Sequence, residues 1–273
     1  MSASTSSNRH SFKLDPRHYQ LAVQAGLLGW GALGGYFEVV ASTVLLVVAA
    51  ALLVQWGWTF WLKLPLNPLS TLNTSLSVLL LLNAQHAGWL VLAVLLGISS
   101  KFCLRLQGRH VFNPSNFGLV VVLLLSDAVW VAHGKWGQGI WLGLLLAGSG
   151  LIVLLGWRRM LTSLAFLLAY TLLLLGRAWW LGDPWSIPLH QLQNGALLIF
   201  TFFMLSDPMT TPAASIGRVL YGAWVALLAA LLQFYGFIPN AFLYALAASS
   251  PLVLLINYQL TGEPYRWLTR RLL

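Results

Sequence analysis

Ser206-Asp207-Pro208-Met209-Thr210-Thr211-Pro212, continuing through Ala213-Ala214-Ser215-Ile216-Gly217-Arg218, separates an apolar run that ends at Leu205 from another that begins at Val219. Proline fixes its own φ and disfavours helical angles at the residue before it, so Asp207 and Thr211 are expected to leave the helix. Broken polar backbone between bilayer-length apolar runs is tolerated only where protein or a polar cavity satisfies its N–H and C=O groups. The stretch is therefore a candidate site. A plain loop followed by a helix start is the blander reading of the same letters.

The rest of the composition sets the medium. Of 273 residues, 59% are hydrophobic and 8% charged, and the mean hydropathy is +0.78. A soluble domain of this size cannot hide that much apolar surface in one core. The fold class expected is an all-α polytopic membrane protein. The single cysteine, Cys103, permits no internal disulfide and no metal cluster. Met1 to Gln20 is polar and lacks the small-residue cleavage site of a secretory signal, so the first apolar helix is expected to be retained.

Apolar run lengths and breaks place spans at 20–36, 39–56, 70–83, 88–104, 115–132, 139–156, 161–176, 192–205, 218–235 and 239–257. Ten spans put both termini on one side. With that side cytoplasmic, thirteen of the fifteen Lys and Arg residues fall inside, and only Lys135 and Arg177 fall outside. Such a bias is the positive-inside pattern. It also explains the net charge of +9 through basic loops on an anionic leaflet, without nucleic acid. Bacterial-type inner membrane is the expected location, with the lipid bilayer as the first partner.

An internal echo divides the chain. Pro68, Leu69, Leu72 and Asn73 recur as Pro188, Leu189, Leu192 and Asn194, each set followed by a short apolar run and a polar break. Phe112-Asn113-Pro114-Ser115-Asn116-Phe117 then parallels Phe237-Ile238-Pro239-Asn240-Ala241-Phe242. Five spans per half, an odd number, would leave the copies inverted in the membrane, and paired interrupted segments in such halves point to a midplane site. The expected organisation is a polar tail at 1–19, a first five-helix repeat at 20–132, a second at 133–258, and a basic tail at 259–273.

Acids are few enough to weigh singly. Glu38, Asp127 and Asp183 fall in outside loops, and Asp15 and Glu263 in inside tails, where solvated surface accounts for them. Asp207 alone sits at a helix break among hydroxyls, and an ionisable group near membrane depth is a functional candidate whose partner should be named. Arg218, Arg109 and His110 are the candidate partners; capping of the following helix is the structural alternative. A second polar island runs from Arg109 to Gly118, where Asn113 and Asn116 offer amides either to a planar polar ligand or to freed backbone groups.

The phosphate-loop, zinc-protease and nucleophile-elbow patterns are missing. The six histidines lie mostly in loops on different sides, against a stacked haem pair. Trp56, Trp58, Trp61, Trp179, Trp180 and Trp185 cluster at span ends as an interfacial aromatic belt.

Met204-Leu205-Ser206-Asp207-Pro208-Met209-Thr210-Thr211-Pro212, with Gly217-Arg218, Tyr221-Gly222 and Phe237-Ile238-Pro239, resembles the NqrB/RnfD family of membrane electron-transport subunits. Lys101 to Gly118, with Phe112-Asn113-Pro114 and Phe117-Gly118, is similar to the family's other block. The Gly108-Arg109-His110-Val111 variant resembles a branch that includes enediyne-biosynthesis-associated membrane proteins. The resemblance implies two inverted five-helix repeats like those of urea transporters, flavin binding, and electron transfer coupled to ion movement alongside other electron-transport subunits. Family members with covalent FMN carry it on a threonine in a Ser-Gly-Ala-Thr-like motif, whereas Asp127 to Gly139 contains no threonine. Covalent FMN is not expected; riboflavin or FMN held non-covalently is. Arg109, His110, Asn113, Asn116, Asp207, Thr210 and Thr211 form the expected binding set, with no metal ligands. A small-solute transporter or channel on the same fold, or a membrane scaffold for a biosynthetic complex, stays open. Whether the chain is itself an enzyme also stays open.

Overall fold

The computed structural model describes residues 15–33, 40–106, 108–131, 144, 148, 151–152 and 155–263. Most of these residues are helical. Helix α1 spans Pro16–Leu33, α2 Ala41–Trp61, α3 Pro68–Leu81, α4 Ala87–Cys103 and α5 Pro114–Leu125. Further on, α6 spans Trp157–Leu181, α7 Ser186–Leu192, α8 Gly195–Ile199, α9 Ser215–Phe234, α10 Ala241–Ser249 and α11 Leu252–Gln259. Among the described residues, three segments are long and apolar enough to cross a membrane: Ala41–Trp61, Met160–Leu181 and Ser215–Phe234. The α10–α11 pair forms a fourth if its 48° bend is taken within one span. The chain is a helical, multi-pass membrane protein.

Short apolar helices occupy the positions where the sequence breaks. Asn67 caps α3, accepting from the Ser70 amide, and Pro68 follows at the first helical position, where a missing N–H costs nothing. Asn113 and Pro114 begin α5 in the same way. Helix α8 runs directly into a π-helical turn, Phe200–Met204, whose wider spacing ends the run just ahead of Ser206. The Ser206 hydroxyl donates back to the Phe202 carbonyl. That bond satisfies an acceptor the turn would otherwise leave open.

Glycines let these helices meet backbone to backbone. A Cβ on Gly118 would lie 2.1 Å from the Ala93 carbonyl oxygen, and one on Gly97 2.4 Å from that of Pro114. Helices α4 and α5 thus touch along a face of small residues, a packing that apolar solvent favours because side-chain burial drives nothing there. Helices α6 and α9 pack in parallel: Arg158 meets Arg218 near their starts and Arg177 meets Phe234 near their ends. Two small antiparallel pairings tie the turns. Strand β1 (Leu82–Ala84) pairs with β4 (Val129–Val131), and β2 (Arg105–Leu106) with β3 (Arg109–His110).

Three differences from the sequence expectations stand out. The seventh span, expected at 161–176, is part of a 25-residue helix that Gly182 stops in the left-handed region at φ 72°. The last span, expected at 239–257, bends ahead of α11, where Pro251 interrupts the amide ladder. Asp15 is no freely solvated tail residue. It accepts from Arg17 Nη2 at 2.5 Å, with side chains 12% and 11% exposed. The sixth span at 139–156, the first hairpin near Gly34, Gly35 and Glu38, and the basic residues Arg266, Arg270 and Arg271 fall wholly or mostly outside the described residues.

Candidate functional site

The geometry is built from the two helix breaks. At the first, Asn113 takes an extended conformation (φ −63°, ψ 125°), and its Oδ1 accepts from the Asn116 amide at 3.1 Å. That is an N-cap. Its Nδ2 is left to reach across the protein, to the Met204 carbonyl at 3.3 Å and to Asp207 Oδ2 at 3.4 Å. His110 Nε2 lies 3.5 Å from the same carboxylate oxygen. Arg109 donates from Nη2 to the Pro208 carbonyl at 2.9 Å.

At the second break, Asp207 Oδ1 accepts from the Met209 amide at 3.0 Å, and Thr210 Oγ1 donates to the Asp207 carbonyl at 3.3 Å. Asp207 therefore caps a turn of its own loop. Helix α9 begins eight residues later with Ala214 at its N-cap and no side-chain cap. Arg218, buried, donates from Nε to the Pro212 carbonyl at 2.9 Å and from Nη1 to the Arg158 carbonyl at 2.5 Å. A guanidinium with five donors suits this fan of carbonyls.

The breaks share one polar cavity of about 70 Å³. Among the expected residues, His110, Asn113 and Asp207 line it. Arg109 and Thr210 brace the Asp207 loop by the bonds given above, and Thr211 is buried. Asn116 is also buried, its Nδ2 committed to the Leu243 carbonyl of α10 at 3.1 Å.

The opposite wall comes from α1 and α3. Arg17, Gln20, Asn73, Thr74 and Ser77 line it. Gln20 donates to the Phe203 carbonyl at 3.1 Å, and Gln24 to Ser77 Oγ at 2.8 Å. Asn73 is 8% exposed, and its Oδ1 has no hydrogen-bond partner. Lys101 stands behind this wall, donating to Gln55 Oε1 at 3.1 Å and Ser70 Oγ at 3.2 Å. Arg17, Gln20 and Gln24 fall at i, i+3 and i+7 of a mostly apolar helix. That spacing puts them on one face and is the sequence signal that could have found them.

Short apolar helices around a polar cavity, with a carboxylate at a proline-broken turn, define a multi-pass membrane protein with an internal polar site. The model of the NQR2, RnfD, RnfE family matches residues 124–265, a little over half of the chain. The chain belongs to this family. Relatives include the D component of the ion-translocating oxidoreductase complex of Sodalis glossinidius, 33% identical over 139 residues, covering 50% of this chain and 39% of the relative. The corresponding component from Erwinia tasmaniensis is 31% identical over 138 residues, covering 43% and 38%. That of Escherichia coli O139:H28 is 31% identical over 147 residues, covering 52% and 38%. The aligned part thus spans about two fifths of the length of these relatives. The family match includes Asp207, Thr210 and Thr211 and begins after the Asn113 island.

Proposed function

We propose that the chain is a membrane subunit of an ion-translocating oxidoreductase complex, and that the cavity between the two helix breaks is a waypoint for the translocated cation. The contact between Asn113 and Asp207 carries this reading, because it closes two distant interruptions around one carboxylate. Asp207 supplies the negative charge. The uncommitted Asn73 Oδ1 and the hydroxyls of Ser70, Thr74, Ser77 and Ser206 supply oxygens that can replace water around a small hard cation. A cavity of about 70 Å³ holds a partly hydrated ion or a few waters. Arg109, through the Pro208 carbonyl, keeps the loop that bears the carboxylate in place.

The same volume does not fit a flavin, since pockets for ligands of that class run to roughly 300–1,000 Å³. Asn113 does not fit that role either, whereas Asn116 keeps a buried Oδ1 without a hydrogen-bond partner. Asn113 is spent on the Asn116 amide and on Met204 and Asp207, and the Asn116 amino group on Leu243. No electron-transfer step is therefore assigned to this cavity.

This reading includes ten crossings in two inverted five-helix halves, with both termini on the cytoplasmic side of a bacterial inner membrane. The positive-inside distribution supports it. Partner subunits are implied by what the relatives' names say of them.

Redox-driven cation uptake into everted vesicles tests the proposal. Asp207→Asn should lower uptake at least about tenfold, as loss of the one carboxylate lining the waypoint requires, with the chain still present in the membrane at its usual level. Undiminished uptake would overturn the assignment. Uptake of a small neutral solute that depends on Asp207 would favour a transporter instead.

A further inference from the structure

A second cavity, of about 570 Å³, lies between the C-terminal halves of α6 and α9, far along both helices from the helix breaks. Its walls are apolar, with Leu172 and Trp180 from α6 and Leu227, Leu231 and Phe234 from α9. Gly176 forms part of the floor, and a Cβ built there would meet nothing within 4 Å. Both helices are among the segments able to cross a membrane, which makes a lipid chain the natural occupant of an apolar groove between them.

The mouth carries the only described charges at this end of α6. Arg177 donates from Nη1 to Asp183 Oδ2 at 3.3 Å, and its guanidinium lies 4.4 Å above the Phe234 ring. The two charged side chains remain 41% and 31% exposed. One bond of 3.3 Å leaves most of the five guanidinium donors and the other carboxylate oxygen available. Trp180 and Tyr235, each 81% exposed, flank the mouth and set it at headgroup depth, where such rings collect.

We propose that this groove is a binding site for a phospholipid with a zwitterionic, primary-ammonium headgroup, phosphatidylethanolamine in chemical terms. One acyl chain fills the space above Gly176. The phosphate sits on Arg177, whose planar fork matches it, and the ammonium donates to Asp183. An acidic headgroup would bring a second negative charge against Asp183. A quaternary choline has no N–H to give that carboxylate. The pair of opposite charges thus selects one headgroup class among the lipids that an apolar groove alone would accept.

Native mass spectrometry of the purified chain in detergent, with phosphatidylethanolamine, phosphatidylglycerol and phosphatidylcholine at equal concentration, tests this. The expected result is preferential retention of one phosphatidylethanolamine. Retention falls about tenfold in Arg177→Gln, the scale of one lost charge-assisted contact. Gly176→Phe, at an exposed helical position where the fold tolerates bulk, fills the groove and abolishes retention. In Asp183→Asn the preference over phosphatidylcholine disappears. Equal retention of the three lipids, a preference for phosphatidylglycerol, or unchanged retention in Gly176→Phe would each overturn the proposal.

Discussion

Asn113 Nδ2 lies 3.4 Å from Asp207 Oδ2 across 94 positions of sequence, and the same amide group reaches the Met204 carbonyl at 3.3 Å. One side chain thus caps the helix it begins and clamps the end of another that stops ahead of it. In an apolar solvent a helix can break only where such partners exist. The two breaks are therefore mutually dependent, and the cavity between them is a consequence of how each satisfies the other.

Close helix contact gives the sharpest packing prediction. Gly118→Ala would push a methyl group to 2.1 Å from the Ala93 carbonyl, so α4 and α5 must separate. The expected loss is about 1–3 kcal/mol, typical of overpacking, read as thermal unfolding in detergent. Gly176→Ala, which meets nothing within 4 Å, should be neutral or stabilising by up to about 1 kcal/mol, the helix preference for alanine. Equal effects of the two would contradict the backbone contact.

Arg218 should resist conservative replacement. Its Nε and Nη1 serve the Pro212 and Arg158 carbonyls on two elements at once, and a lysine ammonium is a point charge that cannot span the same fan. Arg218→Lys is expected to cost about 1.5–3 kcal/mol through lost charged hydrogen bonds. Full stability of that variant in an unfolding assay would show that the carbonyls find other donors.

The start of α1 should loosen in acid. Burial opposes the Asp15 charge, and the hydrogen bonds and charge of Arg17 overcome it, so its folded pKa lies below the ordinary 3.8. A group shifted in that direction contributes stability that is complete above the unfolded value and is lost as pH falls through the folded one. Hydrogen exchange in the first turn of α1, corrected for intrinsic rates, should therefore be unchanged from neutral pH down to about 5 and rise below about 4. In Asp15→Asn that rise should vanish. A pH-independent profile in the native chain would contradict the pairing.

Some of this was legible in the letters because its rules are local. Pro114 after Asn113, and Pro208 after Asp207, mark where helices cannot continue, and those breaks fall where expected. The polar wall of α1 and α3 was harder to see. Gln20 and Gln24 stand in a mostly apolar helix and Asn73 in a run of serines and threonines, and only the docking of α1 on α3 and on the Phe200–Met204 turn gives them partners. The π-turn at Phe200–Met204 has no sequence signature of its own. The bend at Pro251 was signalled by the proline but masked by the length of the apolar run around it.

A double-mutant cycle on Asn113→Ala and Asp207→Ala, followed by thermal unfolding in detergent, tests the central relationship most directly. Asn113→Ala alone should cost about 1–3 kcal/mol, combining a lost N-cap with the lost amide contacts to the Met204 carbonyl and Asp207. The two substitutions together should cost less than their sum, with a coupling of about 0.5–2 kcal/mol, as residues in one polar network show. Strict additivity would mean that the two helix breaks do not hold each other, and the shared cavity would lose its basis.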